Sequence, residues 1–396
     1  MALARGFPGR FGTAADLALE ASVDLPELER LFLTHAHLGV PAFLEAARVK
    51  AACRLLLGCS GPVRAAGEAC GFRNPKDFLT RFRAATGCDP DSYQALGRPG
   101  EPAGFTLTLP ADYRAEDVLA YHGRDPLSLS ERVEGSTLFK AMVVEGREVV
   151  LAIAFQDGLG HCRVLSPPAP DPATMARIHQ KAVRMLGLGT DPARFQRFVA
   201  RLPLQDVVGV RPGLRIPLTA DVWESLVWAI LGQQVNLAFA YTMRRRLTAL
   251  CGGDPHLGLR AHPVPAQVAA LEPADLKPLQ FSRSKAEYVI GLARKVADGS
   301  LPLEQLPDGS ATSAALRLGA ERGIGPWTTH YVLMRGCGFG DCVPLGDAGL
   351  TLALQRHLGL DHRPTVKETA EFMAPFAPHR SLATFHLWAS LKGVPA

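Results

Sequence analysis

The residues best suited to chemistry lie between Gly323 and Leu350, in the tract GIGPWTTHYVLMRGCGFGDCVPLGDAGL. Gly323 and Gly325 stand one residue apart, Trp327 and Tyr331 follow at helical spacing, and Asp347 brings a carboxylate into a glycine-spaced, largely apolar stretch. Glycine at both positions lets the turn adopt positive φ and clears side chains from the path of a ligand. The N–H groups of such a turn and of the helix behind it, helped by the helix dipole, make an anion site fitted to a phosphodiester. Contacts of this kind position a protein on a polyanion and read no sequence. A lone GxG is a weak signal, since most are plain turns. The pattern around this one is far more specific.

Helices are needed to hold these parts, and LRLGAERGIGPWTTHYVL reads as helix, tight glycine hairpin, helix. The whole chain divides into segments. Residues 1–97 read as short helices, and GEACGFRNPKDFLTRFRAATG within them reads as helix, glycine turn, helix. Asn74 is placed to cap the second of these, with Pro75 at its first position. Lys76, Arg81 and Arg83 lie beside an apolar stripe of Phe78, Leu79 and Phe82. That suits a recognition helix in a major groove, or the solvated basic face of a small bundle. Residues 98–104, inside ALGRPGEPAG, are rich in Gly and Pro and read as a linker.

Residues 105–190 read as a small α+β domain with an antiparallel sheet. FTLTL alternates, AEDVLAYHGRD suits a helix, and STLFKAMVVEGREVVLAIAF holds two strands joined across Glu145-Gly146. Asp171 and Pro172 then open a helix. Residues 191–396 are helical again, with the long apolar run DVWESLVWAILGQQVNLAFAYTMRRRLTAL expected at the centre. In it, Arg244–Arg246 could face phosphate or form a solvated helix end. The fold class is thus multidomain and mainly α: an N-terminal helix-turn-helix domain, a small α+β domain and a C-terminal all-α domain.

Composition narrows the function classes. At 396 residues the chain exceeds one ordinary core, and 47% hydrophobic residues exclude a mostly disordered chain. A net charge of +5 is mildly basic and compatible with a polyanionic partner. The start, MALARGFPGRFGTAADLALE, lacks a signal-peptide core, and no apolar run is long enough to span a bilayer. A cytoplasmic protein with no membrane partner is expected. The eight cysteines (53, 59, 70, 88, 162, 251, 337, 342) include no CxxC pair. A disulfide framework, a thiolate zinc site and an iron–sulfur cluster are therefore not expected. The pair His35-x-His37 has no carboxylate or thiolate pattern beside it, so no metal site is assigned. No phosphate-binding glycine loop or serine-hydrolase elbow is present.

From about Phe105 to Trp388 the chain resembles the helix–hairpin–helix superfamily of base-excision DNA glycosylases, and within it the AlkA-type 3-methyladenine DNA glycosylase II family. RPGLRIP…AILGQQV, the GIG hairpin, the aspartate loop and RSLATFHLW carry the resemblance in order. It implies a helix–hairpin–helix glycosylase fold for residues 191–396 and excision of alkylated purines of the 3-methyladenine and 7-methylguanine type from double-stranded DNA. Asp347 matches the catalytic aspartate. A carboxylate there stabilises the positive charge that builds on the sugar as the N-glycosidic bond breaks, and can orient or deprotonate the attacking water. Capping of the helix AGLTLAL is compatible with that role.

Trp327 stands where lyase-competent relatives carry a nucleophilic lysine, so a monofunctional glycosylase without strand cleavage is implied. Trp327, Tyr331, Trp388 and Tyr121 match positions lining the base pocket, where electron-rich rings favour a cationic alkylpurine; ordinary core packing is the alternative for each. Gln233 and Gln234 match the place of the side chain inserted into the gap left by the flipped nucleotide, or else are helix-surface amides. Gly323, Ile324, Gly325 and Thr328 match the DNA-binding hairpin. No cofactor is implied, although the family's hairpin can hold a monovalent cation on backbone carbonyls. A monomer is expected, associated with the nucleoid through DNA.

Residues 62–94 most clearly resemble the paired helix-turn-helix domain of AraC-type regulators. The cysteine-zinc methyl-acceptor module that often accompanies such a domain is absent, so methyl-phosphotriester sensing is not expected. The first subdomain is expected to lack a complete first helix. A transcriptional regulator whose glycosylase half has become a damage sensor is the alternative function, and a glycosylase for deaminated or oxidised purines is a third.

Overall fold

A computed structural model describes residues 1–58, 61–98, 103–202, 211–253 and 255–391. Cys59 and positions 99–102 of the expected linker lie outside the described residues. The described residues form two compact units, Met1–Gly189 with Gly253–His262, and Thr190–Gly252 with Pro263–Ala396.

The first unit opens with seven helices: α1 (Ala2–Gly6), α2 (Ala14–Glu20), α3 (Leu25–Ala36), α4 (Val40–Gly58), α5 (Val63–Ala69), α6 (Pro75–Thr86) and α7 (Pro90–Ala95). Short polar side chains set several starts. Thr13 and Asp16 form a capping box at α2, Asp24 accepts from the Glu27 N–H, and Asn74 from that of Lys76 as its neighbours predict. Phe11, Leu28, Phe32, Phe43 and Leu44 close one core. A second runs as a ladder of rings, Phe72–Phe78–Phe82–Tyr93, with centroids 5.0, 5.5 and 5.4 Å apart.

The sheet follows, with β1 (Gly104–Thr108), α8 (Ala115–His122), β2 (Glu131–Glu134), β3 (Thr137–Val144), β4 (Arg147–Gln156), β5 (Leu159–Val164) and α9 (Pro172–Met185). The strand order is β1-β5-β4-β3-β2, antiparallel throughout. The expected hairpin is present, with Val144 opposite Arg147 and positive φ at Glu145 (48°) and Gly146 (75°). A matching turn at Asp157 (49°) and Gly158 (73°) joins β4 to β5. Both have the two left-handed residues of a type I′ turn. The excursion Gly253–His262 returns to this sheet, where Leu259 and Ala261 pack with Ala141 and Val150.

Tyr93 continues the ring ladder to His179 of α9, 5.0 Å away. His179 is fully buried, also against Phe105, with Nε2 3.5 Å from Cys88 Sγ. Burial holds its pKa down at about 4. The folded state therefore disfavours the imidazolium. The stability this contributes is complete above the ordinary histidine value and is lost as pH falls from about 6.5 towards 4, up to roughly 3 kcal/mol at the end. Urea melts at pH 7 and pH 4.5 should show that loss, and His179→Phe should flatten this part of the slope.

The second unit contains α10 (Pro192–Val199), α11 (Val222–Gly232), α12 (Leu237–Cys251), α13 (Pro265–Ala269), α14 (Pro273–Leu276), α15 (Arg283–Ala297), α16 (Ala311–Gly319), α17 (Pro326–Val332), α18 (Ala348–Leu358), α19 (Val366–Met373) and α20 (Arg380–Ser390). The long apolar run forms two helices. α11 is buried from Val222 to Leu231 and stops at Gly232; Gln234 is left-handed (φ 54°), and Asn236 caps α12 through the Phe239 N–H at 2.9 Å. The arginine run is engaged within the protein, with only Arg244 buried. Arg244 pairs with buried Glu224, Arg245 donates to Thr242 Oγ1, and Arg246 holds Leu279 O and Gln280 Oε1. Among the described residues no helix is long and apolar enough to cross a membrane.

Candidate active site

Asp347 is the N-cap of α18, and its Oδ1 accepts the Leu350 N–H at 2.8 Å. The same oxygen accepts Trp388 Nε1–H at 2.8 Å, while Oδ2 accepts Trp327 Nε1–H at 3.1 Å. Three donors from three elements thus orient one half-buried carboxylate. Oδ2, which takes one of them, keeps a lone pair for a water or a developing cation. The capping and the chemical reading of Asp347 are served by the same geometry.

Two elements hold the indoles in place. α17 carries Trp327 and Tyr331, whose rings stack with centroids 5.4 Å apart and planes 28° apart. α20 carries Trp388, 6.2 Å from the Tyr331 ring. Tyr331 is buried and backs the two half-exposed indoles. α20 is pinned to the loop before Asp347 by a bidentate Arg380–Asp341 pair (2.6 Å for each bond) and by Ser381, which accepts the Cys342 N–H and donates to Phe339 O. From α17, His330 Nδ1 accepts the Val343 N–H at 3.3 Å, and burial lowers its pKa, which keeps that acceptor available. Neither pin was assigned from sequence, although RSLATFHLW was singled out. Trp388→Phe keeps the ring and removes one donor to Oδ1; base release in single-turnover assays should fall by about 10-fold, with melting little changed.

The hairpin joins α16 to α17. Only Gly323 has positive φ (89°); Gly325 sits at −89° as the N-cap of α17, which corrects the expectation that both are left-handed. Their reasons differ too. A Cβ at Gly323 would lie 2.4 Å from the Tyr288 ring of the protein itself, whereas one at Gly325 would meet nothing within 4 Å. Close approach by a ligand is therefore open at Gly325. The Ile324 and Thr328 side chains are buried, so their contribution to an outside partner runs through backbone. The first-turn N–H groups of Trp327 and Thr328 have no acceptor within the helix by position.

The glutamine pair splits. Gln233 Nε2 donates to Gly323 O and Thr328 Oγ1, both at 2.9 Å, so this side chain ties the hairpin down and is not free for insertion. Gln234 is exposed at the corner between α11 and α12. Lys285, absent from the sequence reading, donates from Nζ to Leu231 O at 2.6 Å and Gln233 O at 2.8 Å.

The remaining candidates are in the first unit. The Tyr121 ring carries the Arg124 guanidinium at 3.9 Å. On α6, Lys76 is exposed, but Arg81 is paired with Asp77 and Glu45, and Arg83 with Asp89. Among the described residues no group of three or more His, Cys, Asp or Glu is arranged to hold a metal ion.

Residues 227–378 match the family described as HhH-GPD superfamily base excision DNA repair protein, and residues 17–95 match a helix-turn-helix domain family. The chain is 37% identical over 182 residues to the DNA-3-methyladenine glycosylase of Bacillus subtilis, covering 45% of this chain and 60% of that protein. It thus spans about three fifths of that relative's length. It is 31% identical to the Mycobacterium tuberculosis protein named "Probable bifunctional transcriptional activator/DNA repair enzyme AlkA", covering 98% of this chain and 79% of that one. Among solved structures, the 3-methyladenine DNA-glycosylase from Archaeoglobus fulgidus superposes with a TM-score of 0.64 at 20% identity, over 73% of this chain and 98% of that one. That last likeness is one of fold.

Proposed function

We propose that this chain, which belongs to the HhH-GPD superfamily of base excision DNA repair proteins as an AlkA-type glycosylase with an AraC-type helix-turn-helix domain, hydrolyses the N-glycosidic bond of alkylated purines in duplex DNA. The observation that carries this reading is the Asp347 carboxylate, aimed by the Leu350 N–H and two indole N–H groups beside the stacked Trp327–Tyr331 pair and the tilted Trp388 ring.

An alkylated purine of the 3-methyladenine type carries positive charge, which weakens its bond to deoxyribose and draws it to electron-rich ring faces. Trp327 and Trp388 offer such faces, with Tyr331 behind them. As the base departs, Asp347 Oδ2 sits against the cationic sugar and orients the incoming water. The base leaves already activated, so no strong general acid is required. With Trp327 at the position of the nucleophilic lysine and its N–H engaged by Asp347, no Schiff base forms there and the enzyme is monofunctional.

The hairpin meets the DNA backbone through main-chain N–H groups, and Gln234 fills the gap the flipped nucleotide leaves. A monovalent cation, if one is used, would sit on hairpin carbonyls. Those of Glu321 and Gly323 already accept from Ile324 N–H and Gln233, and each retains a second lone pair. The helix-turn-helix half is an addition to this activity, a second DNA-binding module on a chain acting as a monomer.

Duplexes each carrying one defined alkylpurine test the reading through time courses of base release, with and without alkali. Base loss with strand breaks appearing only after alkali is expected. No base release at enzyme excess would overturn the proposal, and strand breaks without alkali would overturn its monofunctional part.

A further inference from the structure

We infer that α15 is the brace that fixes the Gln234 corner relative to the hairpin, with Lys285 as its positioning residue. The inference rests on the proposed insertion of Gln234 into DNA and adds the device that would let the corner bear load.

Gln234 occupies a left-handed conformation that a side-chain-bearing residue adopts at a cost, so something must hold it. Its surroundings do so in two steps. The C-terminus of α11 leaves carbonyls without helical partners at the negative end of the dipole. Lys285 Nζ takes two carbonyls at that end, Leu231 O at 2.6 Å and Gln233 O at 2.8 Å, on either side of Gly232. Gln233 then reaches out with its own amide to Gly323 O and Thr328 Oγ1 in the hairpin.

Three residues after Lys285, on the same side of α15, Tyr288 lays its ring in the space above Gly323 that any Cβ would fill. Arg322, just before the hairpin glycine, has its guanidinium 5.6 Å from that ring and donates to Glu287. One helix therefore grips both elements meant for DNA, the corner through a cation and the hairpin through a ring. The ammonium is half-buried, and burial lowers its pKa to about 8. A lysine whose only task was solubility would not be placed so. Opening a base stack pushes back on whatever enters it, and without Lys285 the corner can roll away while Asp347 and its indoles stay in place.

The test compares two substrates carrying the same alkylpurine, one in a fully paired duplex and one within a bubble of unpaired bases, where little stacking has to be opened. In single-turnover assays Lys285→Met should lower base release from the paired duplex by about 10–100-fold, the range that loss of a doubly hydrogen-bonded cation implies. Release from the bubble should change by less than about 3-fold, and 2-aminopurine placed beside the lesion should report slower flipping in the paired duplex alone. Lys285→Arg, which can still donate to both carbonyls, should recover most of the rate. Lys285→Ala, which removes the donor altogether, replaces the methionine variant if that one does not fold. Equal losses on both substrates, or none on the paired one, would overturn the inference. Wild-type protein that releases no base from either substrate would instead strike the reading on which it rests.

Discussion

Asp347→Asn should reduce base release from an alkylated duplex by about 10³-fold or more, while binding to a duplex with an abasic analogue survives. The substitution is nearly isosteric and leaves the cap in place, because asparagine is as good an N-cap as aspartate. Its effect on melting should stay within about 1 kcal/mol. What changes is charge and donor count. An amide has one acceptor oxygen, and the site offers Leu350 N–H and Trp388 N–H on one side and Trp327 N–H on the other. With the oxygen on the side of the two donors, the NH₂ group meets the Trp327 N–H and cannot accept it. The group is then wrongly oriented and carries no negative charge to set against the sugar. Single-turnover release, fluorescence anisotropy on abasic DNA and calorimetry separate these effects. Release within about 3-fold of wild type would remove Asp347 from the mechanism.

The second large effect falls on the fold. Gly323→Ala forces a methyl group to 2.4 Å from the Tyr288 ring at a backbone φ of 89°. Overpacking and the left-handed conformation each cost about 1–3 kcal/mol, so a loss of about 2–6 kcal/mol is expected, a fall in melting temperature of roughly 5–15 °C. Gly325→Ala, two residues on, has an ordinary φ of −89° and open space around the new atom. It should melt within about 2 °C of wild type and weaken DNA binding instead, because its methyl group occupies ground a phosphate would approach. Calorimetry on the two variants, with Gly323→Ala/Tyr288→Ala as a third that relieves only the steric part, checks the assignment. The reverse ranking of the two single variants would refute it.

The contrast between these glycines marks how far the sequence reading could reach. Type and order of residues were enough for the hairpin, for Asp347 at a helix start and for the α+β segment, because those features depend on local propensities and short spacings. A GxG pattern carries no information on which glycine turns left-handed or lacks room for a Cβ, and the ring that fills that room at Gly323 belongs to Tyr288, 35 positions away in sequence. Likewise, the Trp388 N–H on Asp347 depends on α20 being drawn to the aspartate loop by Arg380 and Asp341. Gln233 and Gln234 are neighbours of one type, and only their backbone conformations divide a tether from an exposed tip. Other signals were legible and underused: Gly232 and Asn236 punctuate the α11–α12 run, and Asp157-Gly158 is a strong hairpin dipeptide.

The pairing of Arg81 with Asp77 and Glu45, and of Arg83 with Asp89, would change what α6 could offer a DNA backbone. An arginine that arrives on its own gains a phosphate and sets condensed counterions free. These two must first give up carboxylates that would then face the same phosphates. Were α6 to meet DNA phosphates, its association would be an exchange of partners with a shallow dependence on ionic strength, and Lys76 would be its plainest source of counterion release.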